Sequence, residues 1–222
     1  MIFQALTLHS SQLELQCQFY EEVLGLEVSQ LSAESYRFRI GNTFVRLQAD
    51  PAAKPYHFAI NIPCNLIQEA LLWLKARVEI LTLAANEIQD FTNWNAQAIY
   101  FYDADQNIVE LIARKNLENA SDQDFGPASL LEVSEVGIPT LNIEEVYQQL
   151  NQTIGLEIYD GSFERFCAIG DEQGLFICID PSKKDWFPIN DTAWVADFEA
   201  LVFNGTKSFS VVYKAGELHF FP

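Results

Sequence analysis

The feature that most constrains this chain is a local order of elements that occurs three times: an apolar strand, a Ser or Asn three residues ahead of a Glu or Gln, and an amphipathic helix. The pairs are Ser11 with Glu14, Asn65 with Gln68, and Asn142 with Glu145. Each has the form of a capping box, in which the first side chain closes an orphan helix amide and the second reaches back. Apolar residues follow at helical spacing: Leu13, Cys17, Tyr20 and Leu24; then Leu66, Ala70, Leu71 and Leu74; then Ile143, Val146, Tyr147 and Leu150. Gly25 and Gly155 predict the ends of the first and third helices, where a left-handed residue is wanted. Short alternating strands come next: "YRFRI" and "TFVRLQA", "AIYFY" and "IVELIA", "FERFCAI" and "GLFICID". The unit reads as βαβββ.

A unit of about 55 residues is too small to bury a core alone and too long for a solenoid turn, so units must pair to complete a curved sheet. Units one and two fill residues 1–114 and are expected to form a complete domain. The polar stretch "KNLENASDQDFGPA", residues 115–128, predicts a linker. Residues 129–222 hold the third unit and a tail with turns at Asn204-Gly205 and Ala215-Gly216 but no helix pattern. The expected fold class is α+β, with tandem βαβββ modules forming cup-shaped mixed sheets and a degenerate second domain. Its apolar sheet face should pack on the first domain or on a partner chain.

Composition narrows the partners. Thirteen Lys and Arg against thirty-one Asp and Glu give a net charge of −18, which repels a phosphate backbone and an anionic membrane alike. Neither nucleic acid nor membrane is expected, and a small-molecule ligand is; a homodimer stays open. The start "MIFQALTLHSS" lacks a basic segment before a long apolar run, and no stretch approaches the roughly 18 apolar residues of a membrane span. The expectation is a soluble, cytoplasmic protein. Cys17, Cys64, Cys167 and Cys178 show no CxxC spacing and are expected as separate reduced thiols.

One residue stands out within a predicted hairpin, "YFYDADQNIVELIAR", residues 100–114, which turns at Asp103 to Asn107. Side chains alternate along a strand, so Glu110 shares a face with Ile108 and Ile112. A carboxylate between isoleucines is either an edge residue on a half-wet face or a ligand inside a cup.

Three segments resemble the vicinal oxygen chelate superfamily of glyoxalase I, fosfomycin and bleomycin resistance proteins and extradiol dioxygenases: "LTLHSSQLELQCQFYEEVLGLEV", "YHFAINIP" and "IYFYDADQNIVELIAR". The resemblance implies a glyoxalase-like fold but hardly a reaction, since one scaffold hosts several chemistries. It also implies a divalent metal held by His, Glu or Gln from the first and last strands of each unit, with open positions for a substrate's adjacent oxygens. The matching residues of unit two are His57 and Glu110.

Unit one departs from that pattern. Aligning "VRLQA" with "VELIA" places Arg46 at the position of Glu110 and Ala5 at that of His57. Gln4 could ligate only if the register slips by one, which turns a strand residue to the other face. His9 lies too near the rim. Arg46 is therefore expected either to pair with Glu110 at the floor, standing in for a metal, or to be an exposed strand residue. In unit three Glu135 takes the first-strand position, but its setting favours an ordinary polar residue of a one-sided strand; its last-strand counterpart is Ile177. The aromatic run holding Trp186, Phe187 and Trp194 is expected as packing rather than a binding cage.

The expected function is binding of a small polar or anionic organic ligand in the N-terminal cup by Arg46, His57 and Glu110, without a cofactor. The alternatives are a metal-dependent lyase, isomerase or ring-cleaving dioxygenase, with Zn, Ni, Mn or Fe on His57 and Glu110, and a metal-free scaffolding module. No catalytic residue is assigned. GxSxG, Walker, GxGxxG and HExxH motifs are absent from the sequence.

Overall fold

The computed structural model describes residues 1–221. The first unit runs β1 (Ile2–Ser10), α1 (Leu13–Gln18, continuing as a π-turn over Phe19–Val23), β2 (Ser29–Ser32), β3 (Ser35–Ile40) and β4 (Thr43–Ala49). The second runs β5 (His57–Ile62), α2 (Ile67–Lys75), β6 (Ile80–Leu81), β7 (Gln89–Phe91), β8 (Ala96–Tyr102) and β9 (Ile108–Arg114). The third runs β10 (Glu132–Pro139), α3 (Ile143–Ile154), β11 (Ile158–Ser162), β12 (Phe166–Asp171) and β13 (Gly174–Ile179). The tail is three strands, β14 (Phe198–Phe203), β15 (Ser208–Lys214) and β16 (Glu217–Phe221).

The sheets join these units differently from the expected pairing of one with two. The first has the order β16-β15-β14-β1-β4-β3-β2, and the second runs β11-β12-β13-β10-β5-β9-β8-β6, with β7 on β8. Unit one is therefore completed by the tail through antiparallel β1 and β14, and unit two by unit three through antiparallel β5 and β10. Both β1 and β5 leave their units with an unpaired edge, and any antiparallel strand of matching alternation can fill it. The segment 115–128 delivers β10 to β5 and is tied down on the way, since the Asn119 side chain accepts from the Cys64 amide and Asn65 exchanges two hydrogen bonds with Ser121.

Each sheet turns one face to a shared core with the helices between. Phe3, Leu6, Leu8, Phe38, Val45 and Leu47 of the first sheet belong to one cluster with Phe58, Ile60, Val109, Leu111, Val136 and Phe176 of the second. Phe3 meets Phe176 edge-on at 5.3 Å. The apolar face expected of the C-terminal half is thus covered within this chain.

Local signals are met unevenly. Asn142 caps α3, accepting from the Glu145 amide and donating to its carboxylate, and Gly155 ends it at φ 81°. The other two boxes do not form: Ser11 donates to Asp105, and Asn65 is engaged by Ser121. Tertiary partners captured both side chains. The 100–114 hairpin forms as read, and buried Asp103 accepts from Gln16, Tyr20 and Asn107 side chains and the Asp105 and Asn107 amides, pinning α1 to the turn. No helix among the described residues is long and apolar enough to cross a membrane.

Candidate functional site

The second sheet's other face forms a cup. Small residues Ala59, Ala96, Ala98 and Ala168 pave it, and Trp186 and Ala193 cover part of it. A cavity of about 480 Å³ remains, walled by Phe91, Trp94, Tyr100, Phe166, Trp186 and Phe187, with His57, Glu110 and Glu135 at its floor. Trp186 fits because Gly137 opposite has no side chain; a Cβ there would lie 2.7 Å from the ring. The expectation that Trp186 and Phe187 serve only as packing is corrected here: they line the cavity. Exposed Trp194 does not.

Register explains the convergence. In the parallel pair β5/β9, His57 lies opposite Ile108, two residues before Glu110. In β10/β13, Glu135 lies opposite Leu175, two before Ile177. The antiparallel β5/β10 seam, with a bulge between Val133 and Glu135, then sets Glu135 against Ala59. His57 Nε2 stands 3.6 Å from Glu110 Oε2 and 3.9 Å from Glu135 Oε2. Glu135 is thus a floor residue rather than the ordinary strand carboxylate preferred from its setting in sequence.

Arg46 and Ala5 hold the equivalent register in β1/β4, where Ala5 faces Phe44 and Thr7 faces Arg46. That pair is in the other sheet. Arg46 is exposed and donates to Gln48 at 2.7 Å, so it neither pairs with Glu110 nor joins His57. Gln4 accepts from Ser208, and His9 stands 3.9 Å from Asp50, both away from the cup.

The cation at the floor is Arg114, which the sequence reading missed. It is fully buried, bonds Glu135 through Nη2 and donates from Nε to Asn61 at 3.2 Å. Its signal was present: residues 110 and 114 of one strand face the same way.

The electrostatics are lopsided. Burial drops the His57 imidazole to about 4, so it is neutral, and its Nδ1 donates to the Ile108 carbonyl at 3.3 Å. Nε2 therefore presents a lone pair to two carboxylates. Burial, then the nearby Glu135 charge, push Glu110 well up, with Arg114 and Tyr100 opposing; burial also raises Glu135 against Arg114. With both carboxylates ionised, one guanidinium would leave the floor short of one positive charge, which a proton on Glu110 or a bound cation would supply.

The three acceptor atoms lie within 4.8 Å of one another. One imidazole and two carboxylates suit a divalent ion; ligands about 2.1 Å from a shared ion stand roughly 3 to 3.5 Å apart, and the two carboxylates lie 3.6 and 3.9 Å from His57 Nε2, a small contraction away. Ile177 at the fourth position offers no donor, so the side toward the cavity is open. Glu135, bonded to Arg114 through its other oxygen, is already oriented. The residues fit the group.

No protein-family model and no curated protein matches the sequence. Solved structures do match the fold. The "putative dioxygenase from Bacillus subtilis" superposes at TM-score 0.57 and 16% identity over 81% of this chain and 63% of that one. Glyoxalase I from Zea mays does so at TM-score 0.53 and 15% identity over 80% and 66%. The chain thus spans under two-thirds of each.

Proposed function

From a chain with the glyoxalase-like fold of the vicinal oxygen chelate superfamily, we propose a metal-dependent protein that binds a small organic molecule in the cup of its second sheet. His57, Glu110 and Glu135 would hold one divalent ion. The observation that carries this is the meeting of three buried groups, His57 Nε2 and two carboxylates, with the N–H of His57 turned away to the Ile108 carbonyl. Such an ion supplies Lewis acidity toward a ligand's adjacent oxygens. The chain's own groups do the rest. Ile177 leaves the cavity side open, and the aromatic walls receive a flat apolar body and exclude water. Tyr100, kept protonated by burial and by the charge of Glu110, is a neutral donor at the floor. The two premises of the metal-free expectation, Arg46 at the floor and only two ligands, do not describe this site.

A second reading rests on Arg114, whose guanidinium already balances Glu135. A proton on Glu110 would then complete the charge, and the cup would bind its ligand without metal. Calorimetric titration of chelator-treated protein with Zn, Mn, Ni and Co separates the two. One site per chain is expected, lost in His57→Ala and in Glu110→Gln. No saturable 1:1 binding below about 100 µM, weaker than about −5.5 kcal/mol, overturns the metal reading.

A further inference from the structure

The first sheet has a face equivalent to the cup, and it is bare. Phe44 is 49% exposed, Leu201 39% and Phe221 53%, and strand register sets all three in one row across this face. Around them stand Arg37, Arg39 and Arg46, three of only 13 Lys and Arg in the chain. Arg37 lies directly opposite Arg46 across β3 and β4, a like-charge pair that costs stability on an open sheet. Among the described residues, none of Arg37, Arg46 and Glu199 enters an ion pair within 4.0 Å.

The arrangement of this face about β1 is self-complementary. Thr7 has Arg46 beside it on β4 and Glu199 beside it on β14. Ala5 has Phe44 on the β4 side and Leu201 on the β14 side. We propose that a second copy of the chain docks here, face to face, about a two-fold axis running along β1. Such an axis exchanges the two flanks: Arg46 of one copy comes over Glu199 of the other, and Phe44 over Leu201, each pair occurring twice. Isologous contact requires this matching of a patch with itself. Small Ala5 and Thr7 on the axis let the sheets approach to the usual spacing of about 10 Å. With −18 on each copy, most of the surface repels a second copy, and this face collects the cations that can meet one.

Sedimentation of the full chain at about 0.15 M salt, where the screening length is about 8 Å, tests the contact between roughly 1 and 100 µM. The wild type should dimerise. Arg46→Glu and Glu199→Arg should each raise the dissociation constant about tenfold or more, and the double exchange should restore it, because opposite charges face again. Both side chains are exposed, so circular dichroism should be unchanged. A wild type monomeric at 100 µM, a dimer indifferent to either reversal, or failure of the double exchange to rescue overturns the proposal.

Discussion

Replacing Glu135 by Gln should expose how much of this fold's stability hangs on the floor of the cup. Arg114 has no solvent exposure, its charge partner is Glu135, and its Nη1 has no hydrogen-bond partner among the described residues. At an effective dielectric near 20, charges about 4 Å apart attract by about 4 kcal/mol. Glu135→Gln forfeits that attraction but lets Glu110 ionise more easily, returning part of it from farther away. The expected cost is about 3 kcal/mol, at the low end of what breaking a buried pair costs. Arg114→Met should cost a similar amount, by stranding the carboxylate. The double variant should lose far less than the sum, with a coupling of about 2 kcal/mol or more. Urea unfolding in EDTA reads this directly, since metal binding to the folded state would add stability of its own. If either single variant costs less than about 1 kcal/mol, or if the two add, the floor is not organised around this pair.

Burial lifts the Asp103 carboxyl to about 6 from an ordinary 3.8, so the folded state keeps a proton that the unfolded chain releases between those values. Its contribution is full below about pH 4 and lost as pH rises through 6; measured against Asp103→Asn, the wild type should lose about 3 kcal/mol between pH 4 and 7, and parallel pH profiles would refute this. Gly137→Ala places a Cβ 2.7 Å from the Trp186 ring, so it should cost about 1 to 3 kcal/mol and shift tryptophan emission as the ring moves toward the cavity; an unchanged spectrum and melting point would count against the packing described. Burial pushes the thiols of Cys17 up to about 12, Cys167 to about 11 and Cys178 well above the usual thiol range; these three are buried, and half-buried Cys64 is the accessible one. Ellman's reagent should titrate one thiol in native protein and none quickly in Cys64→Ser.

What could be read along the chain was what nearest neighbours control. The helix over Ile143–Ile154 follows from its own apolar period, its Asn142 cap and its Gly155 stop, and the hairpin of β8 and β9 from an Asp-Asn turn between alternating strands. The correspondence of Arg46 with Glu110, Ala5 with His57, and Glu135 with both first-strand positions also follows, because the register inside a unit is set by a short connection and a two-residue period. Tertiary structure alone decided which units meet. An open strand edge offers the same amides and carbonyls to any partner, so nothing in β1 or β5 names β14 or β10; the choice is made by burying two sheet faces at once in one core. That choice carried Arg46 out to an exposed face and brought Glu135 to His57 and Arg114. It also took Ser11 and Asn65 from their helices, since a cap contributes only about 1 kcal/mol and a better-placed partner outbids it.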